Sequence, residues 1–298
     1  MIEFHWIQNY STQKEALQGL LNCSGQLLKK HFSSKDLNRP VRAKDRSRLP
    51  LDLVNHMMIN PIYTGPQAQI LKETENYLVV HKPAQVHSHP HAYSDQDTLL
   101  NFLATQGEYK TLSVNSSSYD RGLLYRLDFE TSGIMLVAKN DKYFEEMRTQ
   151  FREKMKSKYY WAIVEGDFNQ EGFWTHYFRG SGAKGSKQKV ETFSFPDSDM
   201  GELEVKKVLY ENGKSLVLVN LSHGLRHQIR AQLAVLGFPI LGDELYGGTP
   251  SERLYLHALR YEWDEIEEDS HADLFDRFFD LNRGLKMSHD MFSVFKRR

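Results

Sequence analysis

The chain has 298 residues, of which 40% are hydrophobic and 26% are charged, and its formal net charge is -1. This composition is typical of a globular protein with one large domain or two modest ones. We find no apolar run long enough to cross a bilayer and no secretion signal, and the single cysteine, Cys23, excludes an intramolecular disulfide, so we expect a cytoplasmic protein.

The small net charge is the sum of two oppositely charged segments. Residues 29–48 carry eight Lys or Arg against two Asp, whereas residues 262–276 carry eight acids and no Lys or Arg. The stretch from 29 to 50 has two prolines and almost no periodic apolar face, which predicts an extended arm or loop. Such an arm is either a solvated linker or a contact for the phosphates of a nucleic acid.

The first elements follow from apolar spacing. Leucines at helical spacing predict one or two short helices before residue 28, and a change of composition at 61–66 marks a domain boundary. Residues 70–83 are typical of a strand, a turn and a second strand. The loop that follows has three histidines in five residues, but Pro90 and the lack of a nearby cysteine favour the wall of a cleft over a metal site.

After a short amphipathic helix at 98–104, the chain reaches Asp128. This acid lies between Arg126 and the turn at 131–133, and an unbroken apolar run at 134–138 follows, as in a buried strand. A carboxylate at the entry to such a strand can be kept ionised and aimed, as a nucleophile or general base requires. The same position also suits an aspartate that only forms the turn.

A helix is predicted at 141–156, capped by Asn140 or Asp141. Its basic face consists of Arg148, Arg152, Lys154 and Lys156. Strands are predicted at 158–166, 202–210, 215–221 and 254–258. The loop at 180–187 is rich in glycine but lacks the ending of a phosphate-binding loop, so we interpret it as a mobile connection.

A second helix is predicted to open after Gly224 and to stop at Gly237. Arg226 and Arg230 are four residues apart and would share a face of its first turns. A buried arginine needs an acid as its partner, and Asp128 is the natural candidate.

Five blocks of the sequence, in the same order, resemble the RluA-type pseudouridine synthases over residues 70–262. The blocks are Lys82-Pro83-Ala84 with His89-Pro90, Arg126-Leu127-Asp128 with Thr131-Ser132-Gly133, Tyr160 within 158–166, His227-Gln228-Ile229-Arg230 with 236–246, and Leu256-His257-Ala258.

This resemblance implies an α+β fold, with a long, mixed, mostly antiparallel sheet, flanking helices and a central active-site cleft. It implies an isomerase that converts specific uridines of ribosomal or transfer RNA to pseudouridine, without a metal or a cofactor. We expect the enzyme to act as a monomer.

The resemblance also implies roles for individual residues. Asp128 would attack the sugar or abstract a sugar proton, and Arg230 would pair with Asp128. Tyr160 would stack on the base, with help in removing the C5 proton as a second role. Arg126 would fill the space that the flipped uridine leaves. The residues expected to bind RNA are Arg126, Lys82, His89, Thr131, His227, Gln228, Arg148 and Arg152.

Two positions depart from the family pattern, because Tyr125 replaces a usual histidine and Leu225 lies where the family usually has an arginine. The N-terminal 65 residues do not resemble the small RNA-binding domain of many members. We therefore predict an N-terminal extension at 1–65, a catalytic domain at 66–262 and an acidic-to-basic helical tail at 263–298.

Two other functions remain open at this stage. A glycosidase-type hydrolase would need a second carboxylate about 5–10 Å from Asp128, and Glu130 is near in sequence. A catalytically silent RNA-binding protein of the same fold is the other alternative, although the presence of Asp128, Tyr160 and Arg230 favours an enzyme.

Overall fold

The computed structural model describes residues 1–21, 23–56, 58–150, 155–183, 186–221, 224–263 and 266–269. The chain divides into two compact units. Residues 1–65 and 89–121 form the first unit, and residues 66–88 and those from 122 onward form the second. The sequence-based division placed 89–121 with the catalytic domain, and that division stays a prediction. Among the described residues, no helix is both long and apolar enough to cross a membrane.

The N-terminal part of the first unit is a small folded layer of helices and two strands. Its strands are β1 (Ile2–His5) and β2 (Arg46–Leu49), which pair antiparallel. Its helices are α1 (Gln13–Leu21), α2 (Gly25–His31), α3 (Ser34–Asn38) and α4 (Leu51–Val54). Apolar side chains from these elements form a common core, which includes Trp6, Leu17, Leu28, Leu37 and Leu53.

This layer corrects the interpretation of residues 29–50 as an extended arm. The segment enters α2, forms α3 and ends in β2, and Leu37, Val41 and Leu49 are buried. Phe32 also packs against the core, and these four widely spaced apolar residues are too sparse a pattern for periodicity to detect. The helices predicted before residue 28 are confirmed.

The second part of the first unit contains α5 (Leu99–Thr105) and α6 (Tyr109–Ser113). Thr98 caps α5 by accepting from the backbone N–H of Asn101, whose side chain accepts in return from the backbone N–H of Thr98. This reciprocal capping box explains why the predicted helix begins where it does.

The second unit is built on one large sheet. Its strands are β3 (Gln69–Glu73), β4 (Tyr77–Lys82), β5 (Ser132–Ala138), β6 (Met155–Glu165), β7 (Gly172–Ser181), β8 (Lys187–Glu191), β9 (Asp199–Glu211), β10 (Lys214–Leu221), β11 (Leu256–Trp263) and β12 (Ile266–Asp269). Nine of these described strands follow the order β3-β4-β5-β11-β6-β10-β9-β7-β8, and β12 pairs with β11. Among the described pairings, only β5 with β11 is parallel, so the predicted mixed and mostly antiparallel sheet is confirmed.

The parallel pairing brings two backbones unusually close together. Gly133 has a φ of 126°, and a Cβ atom built there would lie 2.3 Å from the carbonyl oxygen of Ala258. Only glycine avoids both the clash and the backbone strain. The contact joins the start of β5, a strand buried along its whole length, to the first part of β11.

Two described helices of the second unit differ in length from the predictions. Helix α7 (Asp141–Thr149) begins at its predicted cap, Asn140, but ends before 156, because residues from 155 onward belong to β6. Helix α8 (Gln228–Val235) begins after His227 rather than after Gly224. Arg226 therefore precedes the helix and does not share a helical face with Arg230, which corrects that prediction.

Strands β7 and β8 were not predicted, because their residues are largely half-exposed and polar residues interrupt the apolar pattern. Residues 180 and 181, assigned to the glycine-rich loop, belong to β7. The segment from 263 onward was predicted to be a helical tail, but residues 266–269 form strand β12. The rest of the predicted tail, beyond 269, lies outside the described residues.

Candidate active site

Asp128 lies in a tight turn directly before β5. The backbone N–H of Thr131 donates to the carbonyl oxygen of Asp128 over 3.1 Å, which closes the turn. The side chain of Asp128 is 28% exposed, whereas all seven residues of β5 are buried. A rigid strand therefore supports a carboxylate that remains accessible to a ligand.

The residues on either side of Asp128 are fixed through their backbones. The hydroxyl of Ser88 donates to the carbonyl of Leu127 over 3.1 Å, and the N–H of Leu127 donates to the same hydroxyl over 3.3 Å. The ammonium of Lys82 donates to the carbonyl of Phe129 over 3.2 Å. These bonds attach both neighbours of Asp128 to the end of β4 and the loop that follows it.

Lys82 is fully buried, and its ammonium also donates to the carbonyls of Pro83 and Val86, over 3.0 and 2.7 Å. Burial lowers the pKa of Lys82 to about 7, while the carboxylates of Asp128 and Glu130 oppose that shift. The predicted contact between Lys82 and RNA is not supported, because three carbonyls surround its ammonium and its side chain does not reach the surface.

Arg230, on the first turn of α8, lies among three acids. Its Nε and Nη2 donate to the two carboxylate oxygens of Asp243, each over 2.8 Å. Its Nη1 lies 3.2 Å from Oε2 of Glu130 and 3.9 Å from Oδ2 of Asp128. Asp128 is therefore within ion-pair distance, as the sequence predicted, but it is the most distant of the three carboxylates.

The pair of Arg230 and Asp243 is almost completely removed from solvent, with side-chain exposures of 3% and 0%. Burial alone would lower the pKa of Arg230, but the hydrogen bonds and the charge of Asp243 outweigh burial and raise that pKa above its ordinary value. The bidentate geometry fixes the guanidinium, so its third nitrogen is held in place beside Asp128.

Two buried tyrosines, on β6 and β11, form a cluster with a half-buried tyrosine in the segment before Asp128. The hydroxyls of Tyr160 and Tyr261 are 3.0 Å apart, and the rings of Tyr125 and Tyr261 are 4.8 Å apart between centroids. Burial raises the pKa of Tyr160 to about 12; the hydrogen bond from Tyr261 opposes this shift, and the charge of Asp128 adds to it. Tyr160 is therefore a neutral phenol near the carboxylate.

The cluster accounts for the departure at Tyr125. Its hydroxyl accepts the backbone N–H of Leu136 in β5 over 3.1 Å, and its ring packs on Tyr261. Burial raises the pKa of Tyr125 well above its ordinary value, so it is also a neutral phenol. A tyrosine at this position thus links the segment before Asp128 to both β5 and β11.

His227 immediately precedes α8 and faces Asp128. Its Nε2 lies 3.9 Å from Oδ2 of Asp128, and its Nδ1 lies 3.2 Å from the hydroxyl of Tyr246. Its backbone is left-handed, with a φ of 54°. The structure therefore brings together Asp128, Tyr160, Arg230 and His227, all of which the sequence predicted as site residues.

Other predicted residues lie elsewhere or face inward. Thr131 and Gln228 are buried, and Gln228 is bonded through its amide to Leu225 and Glu202, which leaves no support for their predicted RNA contacts. Arg126 is exposed beside Asp128, and Arg148 is exposed on α7 with its guanidinium 5.5 Å from the ring of Phe144. Arg152 lies outside the described residues.

His89 belongs to the first unit, where its Nδ1 is 3.4 Å from Asp120 and its ring is 5.1 Å from that of His91. Within the described residues, no group of three or more His, Cys, Asp or Glu side chains is arranged to hold a metal ion. The functional prediction for His89 stays a prediction.

Sequence reasoning did not assign roles to Asp243, Tyr246 or Tyr261. Asp243 and Tyr246 lie in a short loop with a 3-10 helix at Glu244–Tyr246, within a block that carried the family resemblance. That block was the available signal, but its spacing did not show which side chain would meet Arg230. Tyr261 had no signal beyond the apolar pattern of its strand.

A model of the family described as RNA pseudouridylate synthase matches residues 76–235, which is more than half of the chain. The chain belongs to the RNA pseudouridylate synthase family. The matched region contains Asp128, Tyr160 and Arg230, and the enzyme is an RNA pseudouridine synthase, an isomerase that acts on RNA.

Individual pseudouridine synthases support this family assignment. The chain is 32% identical over 241 residues to the ribosomal large subunit pseudouridine synthase D of Borreliella burgdorferi, covering 78% of this chain and 72% of that protein. It is 30% identical over 243 residues to an uncharacterized RNA pseudouridine synthase of Bacillus subtilis, covering 79% and 76%.

The human RNA pseudouridylate synthase domain containing 1 protein is a structural neighbour of the enzyme, with a TM-score of 0.58 at 22% identity. The match covers 78% of this chain and 96% of that one. At this identity the likeness concerns the fold, and it agrees with the predicted pseudouridine synthase fold.

Proposed function

We propose that this pseudouridine synthase modifies ribosomal RNA and that Asp128 is the group that acts on the ribose of the target uridine. The observation that carries the assignment of Asp128 is its position as a partly exposed carboxylate beside Arg230, whose guanidinium Asp243 holds in place. The choice of ribosomal RNA rests on relatives named ribosomal large subunit pseudouridine synthase D. Transfer RNA is the alternative substrate.

Isomerisation breaks the bond between C1′ and N1 and forms a bond between C1′ and C5. The proton on C5 is lost and N1 gains one, so the reaction needs no net oxidant or reductant. Asp128 can start it by attacking C1′ or by abstracting a proton from the sugar, since both use an anionic carboxylate. Arg230 offsets the negative charge that Asp128 brings to a partly buried site.

Tyr160 is assigned the stacking role. Its ring lies in a buried cluster, and the charge of Asp128 acts on its phenol, so a base bound near the ring would also lie near the carboxylate. Because burial raises the pKa of Tyr160 to about 12, the neutral phenol is a weak base at neutral pH. We therefore assign Tyr160 to stacking and not to removal of the C5 proton.

The target uridine has to leave its stacked position in the RNA to reach Asp128. Arg126 is exposed two residues before Asp128, which suits a side chain that fills the vacated space. Exposed cations such as Arg148 suit contacts with phosphates. We also propose that the enzyme acts as a monomer in the cytoplasm.

Release of tritium from RNA labelled at C5 of uridine tests the assignment of Asp128. We expect Asp128→Asn to lower the single-turnover rate by at least about a thousandfold, because an amide is neither a nucleophile nor a base here. Asp197→Asn is the matched control, since Asp197 is exposed and its left-handed backbone (φ 58°) suits asparagine equally. An Asp128→Asn variant as active as the control would refute the assignment.

The choice of RNA is tested separately. Labelled transcripts of large-subunit ribosomal RNA and labelled bulk transfer RNA are compared as substrates under the same conditions. Release from the ribosomal transcript alone supports the proposal, and release from transfer RNA alone contradicts the substrate while leaving the role of Asp128 intact.

A further inference from the structure

The surroundings of Asp128 include a histidine whose two ring nitrogens face different groups. Nε2 of His227 lies 3.9 Å from Oδ2 of Asp128, and Nδ1 lies 3.2 Å from the hydroxyl of Tyr246. The side chain of His227 is 9% exposed. The imidazole therefore connects Asp128 to Tyr246 in a mostly dry environment.

We propose that Tyr246 and His227 form a hydrogen-bonded relay that presents an N–H group to Asp128, so that His227 is a positioning residue for the reactive carboxylate. The inference rests on the proposed function, in which Asp128 acts on the ribose. It assigns a role to His227 and the tautomer in which that residue works.

The tautomer follows from the bonds of Tyr246. Its oxygen accepts the backbone N–H of Gln188 over 2.9 Å, and its own proton is available to donate. Nδ1 of a neutral His227 is an acceptor within reach of that proton. If Nδ1 accepts, the ring proton is on Nε2, the nitrogen that faces Asp128.

The ring of Tyr246 is itself well positioned. The ammonium of Lys187 and the guanidinium of Arg230 lie 5.2 and 5.6 Å from its centroid, and its hydroxyl is fixed by Gln188. Burial raises the pKa of Tyr246 above its ordinary value, so the phenol retains the proton that the relay requires.

His227 is neutral in this arrangement. Burial lowers its pKa, and Arg230 and Arg226 lower it further, while Asp128 and Glu130 oppose them. A neutral donor orients a carboxylate without cancelling its charge, which a nucleophile or base has to keep. The 3.9 Å separation is longer than a hydrogen bond, and such bonds commonly shorten when the substrate enters the site.

The backbone supplies an independent indication. His227 is left-handed, yet its carbonyl accepts the N–H of Ala231 over 3.0 Å and so starts α8. A left-handed backbone is unfavourable for a non-glycine residue and persists where its surroundings fix it, which is common at functional sites. In this conformation the ring of His227 lies between Tyr246 and Asp128.

The test compares two replacements of His227. In His227→Gln the amide N–H occupies the place of Nε2–H, whereas in His227→Asn the amide is too short to reach Asp128. Asparagine tolerates the left-handed backbone at least as well as glutamine, so backbone strain does not penalise it. We expect the single-turnover rate of the Asn variant to be about tenfold below that of the Gln variant, with similar RNA affinity.

The relay is read directly from the imidazole 15N signals of His227, identified by their loss in His227→Gln. We expect the Nε2–H tautomer at pH 7.5, and a shift toward Nδ1–H in Tyr246→Phe, with a rate about threefold to tenfold lower. Tyr210→Phe, at an exposed position on β9, is the control and leaves both unchanged.

Two results would overturn the relay. One is an Nδ1–H or charged ring in the unmodified enzyme, and the other is equal rates for the Gln and Asn variants. If those occur while Asp128→Asn is inactive, the relay is wrong and the proposed function stands. If Asp128→Asn is active, the proposed function itself fails.

Discussion

Two groups of ion-paired arginines in this protein differ in their exposure to solvent, one being buried and the other exposed. In the second unit, Arg230 and Asp243 are 3% and 0% exposed and share two hydrogen bonds of 2.8 Å. In the first unit, the side chains of Arg46 and Arg48 are each 72% exposed and pair with Glu3 over 3.6 and 2.8 Å. The sequence presents both regions only as arginines near acids.

The difference in burial determines what each region can do. A buried, bidentate pair holds one geometry and is costly to break, so it suits the positioning of a reactive group. Exposed pairs contribute about 0–1 kcal/mol to stability and exchange partners readily, so they suit contacts with a polyanion. Substitutions in each region test this distinction.

Asp243→Asn should have the largest effect on the buried region. It leaves the guanidinium of Arg230 without its bidentate partner, and breaking a buried ion pair costs about 3–5 kcal/mol of the free energy of unfolding. Activity should fall more than about a hundredfold, because Arg230 is no longer held beside Asp128. Denaturant unfolding and tritium release measure the two effects.

A double variant separates stability from positioning. Arg230→Met with Asp243→Leu replaces both charges by apolar side chains of similar size, which is often neutral for stability. We expect stability to return while activity stays low. An Asp243→Asn variant within about 1 kcal/mol of the unmodified protein would contradict the role given to the pair.

Lys82 gives the buried region a second test, through pH. Its pKa is about 7 in the folded protein and about 10.4 in the unfolded chain. Between these values the unfolded state binds more protons, so the free energy of unfolding rises with pH, by up to about 1.4 kcal/mol per unit from this residue. Well below pH 7 Lys82 is protonated in both states, and above about pH 10.4 it is deprotonated in both, so outside this window its effect on the free energy of unfolding no longer changes with pH.

Lys82→Met removes this titration and leaves the other groups in place. The measurement is the difference in unfolding free energy between the two proteins at several pH values from 6 to 10. A difference that does not change with pH would mean that Lys82 keeps its proton when buried.

The exposed region should respond only through RNA affinity. Arg46→Gln with Arg48→Gln should change stability by less than about 1 kcal/mol. If both arginines contact phosphates, the plot of log affinity against log salt becomes less steep, and the magnitude of its negative slope falls by about 1.4. Lys206→Gln with Lys207→Gln on β9, where both lysines are also ion-paired, is the matched control. Equal slopes in the two variants would assign the effect to net charge.

Much of the second unit could be predicted from the sequence, because its central strands are long apolar runs. The segments at 134–138, 158–165 and 215–221 lie in strands that the structure contains. Strands β7 and β8, at the far end of the sheet, could not be recognised, since their half-exposed faces tolerate polar residues.

The sequence predicted the main residues of the site but not all of the hydrogen bonds between them. The family resemblance selected Asp128, Tyr160 and Arg230, and the charge of Arg230 predicted an acid beside it. That Asp243 is its bidentate partner depends on how the loop before the 3-10 helix returns to α8, which residue spacing does not encode. The start of α8 was also misplaced, because the left-handed backbone of His227, which precedes the helix, leaves no periodic signal in the sequence.

Gly133 has a consequence for how this protein can vary. The loop before β5 carries Asp128, and β11, which Gly133 touches at Ala258, carries Tyr261. Any side chain at 133 would push the two strands apart, and with them the acid from the aromatic cluster. Glycine at this one position therefore sets the distance between the two strands, and with it the spacing of the reactive groups.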